Sequence, residues 1–480
     1  MTLKLLPIAA AVGLLSLTTF SARAAEDSDV SALIQKINAR TEQLEDQIKA
    51  LKAQVQNLKQ QKSIPSTTNK TSKGQEKAAF APSVVGRPVV TSPYIGHRSA
   101  FDGSDLVVNV SSINEDLRLL EQRQKIENTA RAQGGTEHFP VLELSGLVEA
   151  QALYNKNYSG LSTTDIDLTG AEIDSVAYLQ QWVTGFITFN YDNGAGTKSQ
   201  RTTNSNLFVN KAFITVGDLN HSGFYGTVGQ FVVPFGRYSS AQVSSPLTQS
   251  VFRIKDRALL LGYKQPGDTG FYGSGYIYRG STDLADSTGK VNKWGANLGY
   301  AFKSDELSGK LGASYVNNIA DSDGMQAVGS EEKDKNETLE HRVPGAGIRG
   351  KLTYKPFTAV AEYLTATKNF DALDLSFGDA GAKPSALQLE GIYAFNLMER
   401  PGSLAVAYGQ TKDALALHLP EKRYSITLNS NLFENTLAAL EFRHDIDYGS
   451  NDRAFGKGAT NTEGSGKSSN RITAYFAIYW

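Results

Sequence analysis

Arg237, Arg253, Lys255, Asp256 and Arg257 stand close together in the sequence, with Gln230 just ahead of them. Four of these six residues are basic and one is acidic. The chain as a whole is nearly balanced, with 48 Lys and Arg against 49 Asp and Glu. A local basic excess does no covalent chemistry. It sets a potential that draws anions, provided that the side chains converge on one water-filled space. Without that convergence the same charges are a solvated rim. A nucleic-acid surface would need a broader basic field than this balance allows.

Covalent and metal chemistry find little support. The chain has no Cys, so thiolate metal sites and disulfides are excluded. His97, His138, His221, His341, His418 and His444 are scattered, and none has zinc-ligand spacing with a partner. GAGIRG (345–350) has the three glycines of a dinucleotide loop but opens a strand instead of joining a strand to a helix. EGSGKSS (463–469) resembles a phosphate loop, but Asn461 holds the first glycine position and a strand follows. Asp321 and Asp323 in DSDG begin like a calcium loop whose later ligands are missing. The reading is no enzyme, no metal and no cofactor.

The elements that would position the charged residues are strands. From Pro140 onward the pattern is β to the end, with sixteen candidates: 141–154, 168–177, 182–192, 205–217, 224–233, 255–264, 270–280, 292–302, 308–318, 343–355, 357–367, 385–396, 403–411, 422–430, 436–446 and 470–480. Links alternate between short turns and long polar loops, the latter at 193–204, 234–254, 319–342, 368–384 and 447–469. That layout predicts an all-β transmembrane barrel of about 16 antiparallel strands over 140–480. The alternative, a soluble sandwich, would bury the apolar parity in a core. Loop 234–254 is the candidate constriction, flanked by the basic cluster. An even strand count puts both barrel ends on the short-turn side.

Strand parity assigns the faces, because successive side chains point to opposite sides. Tyr424, Ile426 and Leu428 share one parity, and Ser425, Thr427 and Asn429 the other. A charge in lipid near the midplane costs about 2–4 kcal/mol for Arg or Lys. Inward placement is therefore expected for Arg349, Lys351, Glu362, Glu390, Glu441 and Arg443, the candidate lumen residues.

Residues 1–24 read as a secretory signal: Lys4, an apolar run from Leu5 to Phe20, then Ala22-Arg23-Ala24 before the expected cleavage. Residues 25–62 carry heptads. Val30, Ile37, Leu44, Leu51 and Leu58 recur every seven residues, and Ile34, Thr41, Ile48 and Val55 fill the second seam. They predict an N-terminal α-helical coiled coil that oligomerises the protein on the periplasmic side. Residues 63–139 read as a linker containing a short helix, 113–128, that lies against the periplasmic mouth, with Ser112 and Glu115 as a capping box. Nothing in 25–139 reads as a folded plug domain.

Four stretches carry a resemblance. Ile472, Ala474, Phe476, Ile478 and the final Trp480 resemble the C-terminal signal of Gram-negative outer-membrane proteins, read by the barrel-assembly machinery. Here Trp replaces the usual Phe, and Ile478 sits where Tyr is common. GFYGTVGQFVVPFGRYSS (223–240) resembles the fifth strand and inward third loop of general and phosphate-type porins. With SSPLTQSVFRIKDRALLLGY (244–263) and SSINEDLRLLEQR (111–123), the chain is similar to the siderophore porin family typified by the legiobactin-uptake protein. The resemblance implies a 16-stranded barrel in outer-membrane lipid that passes ferric siderophore passively and without TonB, as a homo-oligomer, with a trimer favoured by porin analogy. Alternatives left open are a general diffusion or anion-selective porin, and a barrel that only anchors a tether or adhesin.

Overall fold

The computed structural model describes residues 113–132, 140–192, 206–284, 289–328, 338–397, 399–433, 435–456 and 461–480. The signal segment, the coiled-coil seam from Val30 to Leu58 and Ser112 lie outside the described residues. Sixteen strands form one closed barrel: β1 (Val141–Lys156), β2 (Ser162–Gln180), β3 (Val183–Asp192), β4 (Asn206–Gly217), β5 (Phe224–Val232), β6 (Lys255–Lys264), β7 (Gly270–Tyr278), β8 (Lys293–Lys303), β9 (Leu307–Val316), β10 (Gly345–Tyr354), β11 (Phe357–Ala366), β12 (Ser385–Leu397), β13 (Arg400–Lys412), β14 (Lys422–Ser430), β15 (Thr436–Ile446) and β16 (Ser468–Tyr479). Each strand pairs antiparallel with its neighbours in the chain. β1 closes the ring on β16, from Leu147↔Tyr479 to Lys156↔Asn470. At the seam Gly146 N–H donates to Trp480 O at 2.8 Å and Trp480 N–H returns to Gly146 O at 3.1 Å.

The sixteen strands fall where the alternation placed them, with one larger departure. β2 begins at Ser162, six residues before the expected 168. STTDIDLTG has the polar composition of a loop. It is nonetheless strand, because β1 runs on to Lys156 and a bulge at Glu149/Ala150 keeps the two in register.

The outward face is apolar at mid-height. Leu259 and Leu261 on β6, Ile348 on β10, and Ile426 and Leu428 on β14 are all exposed, Ile348 at 64 %. A contiguous belt of this kind belongs in lipid. No helix among the described residues is long and apolar enough to cross a membrane. Aromatic pairs cap the belt. Phe224–Tyr263, Phe271–Tyr300 and Phe357–Tyr393 sit at the short-turn end with centroids 4.8, 4.8 and 5.2 Å apart. Tyr408–Tyr424 lies nearer the other end at 5.2 Å.

The inward face is buried, polar over most of the ring and apolar on β3 to β5. Thr215 on β4 and Thr427 on β14 are fully inaccessible, both at 0 %. In a hollow barrel they would meet water, so the lumen is occupied. Two inserts fill it: helix α1 (Glu115–Ala132), and the loop 233–254 between β5 and β6, L3 below, which carries the short helix α2 (Leu247–Phe252). At the long-loop end α3 (Asp323–Val328) follows β9, and the segments Leu375–Phe377, Ala380–Gly381, Arg453–Gly456 and Thr462–Glu463 pair into a small separate sheet.

α1 departs from expectation in extent and place. It ends at Ala132 instead of 128, and it lies inside the lumen, not against its mouth. Its first turn is at mid-barrel, where Glu115 meets Lys211 of β4. Its later turns reach the β4–β5 turn, where Gln124 donates to Leu219 O at 3.0 Å and Asn220 donates to Glu127 at 2.7 Å. Leu117, Leu119 and Leu120 are buried with Val176, Phe186 and Phe213 of the wall.

Candidate functional site

L3 turns into the lumen at Phe235-Gly236-Arg237-Tyr238. Gly236 has φ 88° and Tyr238 φ 68°. An L-residue at 236 would be strained, and its Cβ would meet the Tyr238 ring at 2.6 Å. An apolar knot holds the base of the loop. Phe235 and Phe252 pack edge-to-face at 6.1 Å, both fully buried, beside Val251 and Ile254.

The tip is fastened by three carboxylates on the opposite wall. Glu362 of β11 accepts the N–H groups of Arg237 and Tyr238, the latter at 3.3 Å, and the Thr248 hydroxyl at 2.7 Å. Glu390 of β12 accepts Ala241 N–H at 2.8 Å. Glu441 of β15 accepts Val243 N–H at 2.6 Å, Ser244 N–H at 3.1 Å and the Ser244 hydroxyl. From β14, Asn429 donates to Ala241 O at 2.9 Å. Charge-assisted bonds to backbone N–H groups are among the stronger protein hydrogen bonds. Carboxylates suit this task, because a loop without its own ladder presents unpaired N–H donors.

All six candidate lumen residues stand on the inward parity of their strands. Arg349 faces Glu362 across the β10–β11 register and donates to Asn297 of β8. Lys351 is half-buried two residues along. The three glutamates are the loop fasteners, and Arg443 donates to Ser244 Oγ at 3.0 Å.

The six candidates around the loop do not converge. Arg237 lies within L3 and donates to Ser239 Oγ at 2.6 Å. Arg253 closes the loop and pairs with Asp323 of α3 at 2.6 Å. Asp256 shares the inward parity of Ala258 and Leu260. Arg257 shares the outward parity of Leu259 and Leu261, and its cross-strand partner Gln230 stands with it. Lys255 donates to Asn210 at 2.8 Å on the same side. Adjacent residues of a strand cannot share a face. A cluster built on sequence proximity is therefore divided by the wall. The assembly-signal residues Ile472, Ala474, Phe476 and Ile478 take the outward parity of β16, and Trp480 covers Gly146.

A different basic row faces the lumen. Arg423 (β14), Arg443 (β15) and Arg471 (β16) are inward on consecutive strands, and Arg443 and Arg471 are direct register partners. Asp445 is set between two of them, 2.8 Å from Arg423 and 3.1 Å from Arg443. Glu441 flanks Arg443 on the same face, so three guanidinium groups meet two carboxylates and the row keeps a small basic excess. The adjoining wall is acidic: Glu149 of β1 accepts from Tyr475, and Asp165, Asp167, Glu172 and Asp174 lie on the inward parity of β2. The lumen thus carries opposite charge on neighbouring arcs. Parity in β14 and β16 was the signal that would have found Arg423 and Arg471. Arg423 alternates with Ser425, Thr427 and Asn429, and Arg471 with Thr473 and Tyr475. No group of His, Asp and Glu able to hold a metal occurs among the described residues.

No family model matches the chain. Among solved structures it is similar to the anion-selective porin from Comamonas acidovorans, at TM-score 0.46 and 11 % identity over 71 % of this chain and 100 % of that one. It is also similar to the outer membrane channel DcaP of Acinetobacter baumannii, at TM-score 0.45 and 13 % identity over 72 % and 99 %. Among sequences, the UPF0422 protein of Coxiella burnetii is 38 % identical over 451 residues, 93 % of this chain and 94 % of that one. The UPF0422 protein lpl2888 of Legionella pneumophila is 39 % identical over 415 residues, 83 % and 77 %. At this identity and coverage, the chain belongs to the UPF0422 protein family.

Proposed function

We propose that this protein is a channel of the Gram-negative outer membrane through which small solutes diffuse passively. One observation carries the reading: a closed 16-strand barrel with an apolar belt outside has a polar lumen, narrowed by a loop that three wall carboxylates hold in place. In this orientation the short turns are periplasmic and the long loops extracellular. The Arg423–Arg443–Arg471 row beside the acidic β1–β2 arc favours anionic or mixed-charge solutes. Within that class ferric siderophore, passed without TonB, is the proposed cargo. Its support is the resemblance of residues 111–123, 223–240 and 244–263 to siderophore porins. A homo-oligomer, a trimer by analogy with porins, is part of the proposal. The protein is assigned no covalent step.

The test is conductance of the refolded protein in planar bilayers under a salt gradient, with and without ferric siderophore. Stable steps with an anion-biased reversal potential are expected, and Arg443→Gln with Arg471→Gln should move the reversal toward cations. Siderophore-dependent block supports the cargo assignment. A folded barrel that gives no steps refutes the channel, and leaves the barrel as an anchor for a tether or adhesin.

A further inference from the structure

Helix α1 is inside the barrel without being part of its wall. The sheet closes through β1 and β16, so no strand edge depends on the helix. At 18 residues it is about 27 Å long and, with side chains, roughly 10–12 Å across. A 16-strand barrel measures about 30 Å between opposite backbones, from the strand spacing and tilt. Wall side chains and L3 take much of that width. The two inserts also divide the ring between them. L3 is fastened to β11, β12, β14 and β15. α1 is fastened to the arc from β1 to β6, and Asn114 just before it to β8.

The polar fastenings each end on a side-chain tip or a turn carbonyl. Glu115 meets Lys211 at 2.7 Å, Thr227 donates to Asp116 at 2.8 Å, and Arg123 donates to Thr184 at 3.4 Å. Asn297 donates to Asn114 at 3.4 Å. In an aqueous lumen, water can replace such partners once the helix moves. An apolar seam of Leu117, Leu119 and Leu120, buried with Val176, Phe186 and Phe213 of the wall, supplies the rest of the hold. A wall strand has no such exchange open to it, because its ladder partners are irreplaceable in lipid.

We infer that α1 is a built-in plug. It closes the β1–β8 side of the lumen at rest, and solutes use that side only when it shifts. The inference rests on the channel reading. The absence of Cys from the chain gives its test a clean background. In a locked variant, Asp116→Cys with Thr227→Cys, a short bis-thiosulfonate bridges the two meeting side chains. In a loosened variant, Leu117→Ser with Leu120→Cys, the seam is weakened and the thiol reports departure of α1 by reaction with an impermeant maleimide. Unchanged heat-modifiable gel mobility shows that both barrels fold.

The bridged protein should show steps at most half the wild-type size, restored by reductant. The loosened protein should react with maleimide at least tenfold faster than the same thiol alone in a wild-type seam, Leu120→Cys, and give steps at least twofold larger. Equal conductance in bridged, loosened and wild-type channels overturns the plug while the channel stands. If none of the three conducts although the thiol at 120 reacts freely, the channel reading falls and the plug with it.

Discussion

Glu441→Gln tests whether L3 is held by separate fasteners. The carboxylate accepts Val243 N–H at 2.6 Å, Ser244 N–H at 3.1 Å, the Ser244 hydroxyl, and the Thr427 hydroxyl at 3.1 Å. The amide keeps the shape but turns one acceptor into a donor. Whichever way it rotates, an NH2 group then faces a donor. Hydrogen bonds to charged groups contribute about 1.5–3 kcal/mol each. Losing the charge and one acceptor weakens two backbone bonds, about 3 kcal/mol at the low end, since lumen water offsets part of the loss. At 1.4 kcal/mol per decade, that is roughly a hundredfold in the local opening equilibrium. Native-state hydrogen exchange reads it directly. The Val243 and Ser244 amides should exchange about a hundredfold faster. Ala241, bound to Glu390, should change less, and Tyr238, bound to Glu362, hardly at all. A uniform acceleration along 237–244 would refute separate fastening and make the Phe235–Phe252 knot the sole clamp. A change below threefold at 243 and 244 would refute the role of Glu441 altogether.

Three other outcomes follow from the same geometry. Lys211→Met leaves Glu115 buried without its 2.7 Å cation; breaking a buried pair costs about 3–5 kcal/mol, so the α1 amides should lose protection while those of β9–β13 do not. Gly295→Val places a side chain where the Tyr276 ring lies flat on β8; overpacking of about 1–3 kcal/mol should lower the thermal unfolding midpoint of the barrel in detergent, and an unchanged midpoint would show that the ring is free to move. Asp321, in the loop after β9, accepts Ser281 N–H, Thr282 N–H, the Thr282 hydroxyl and Asn318, yet burial pushes its carboxyl above the ordinary 3.8. A raised acid is more stable in the fold when protonated. The contribution is full below 3.8 and lost as pH rises through the raised value. Opening free energies at Ser281 and Thr282, corrected for intrinsic exchange, should fall with pH, and Asp321→Asn should flatten the trend.

Strands were legible because lipid outside and polar lumen inside enforce a two-residue period. Glu362, Glu390 and Glu441 were legible as inward for the same reason, but not as loop fasteners. Their partners lie more than a hundred residues away, and backbone N–H groups leave no mark in a sequence. The basic cluster misled because Lys255, Asp256 and Arg257 are neighbours in the chain, and neighbours in a strand face opposite ways. The lodging of α1 leaves a trace in the sequence. On β3 to β5 the alternation fails: Phe186, Phe213 and Phe231 point inward while Ile187, Ile214 and Val228 point outward. Strands apolar on both faces need a cover on each. Lipid covers one, and an inserted helix covers the other.

L3 leaves the wall between β5 and β6 and is bound to β11, β12 and β15. It therefore works as a tie-beam across a hoop. An empty hoop of sixteen strands flattens easily, since ovalising it bends many joints slightly and breaks none. With the beam in place, one diameter is fixed, and any ovalising that lengthens it must stretch short bonds to carboxylates. Lateral pressure from the bilayer is then borne by the arcs on either side, while the barrel keeps its width along the beam.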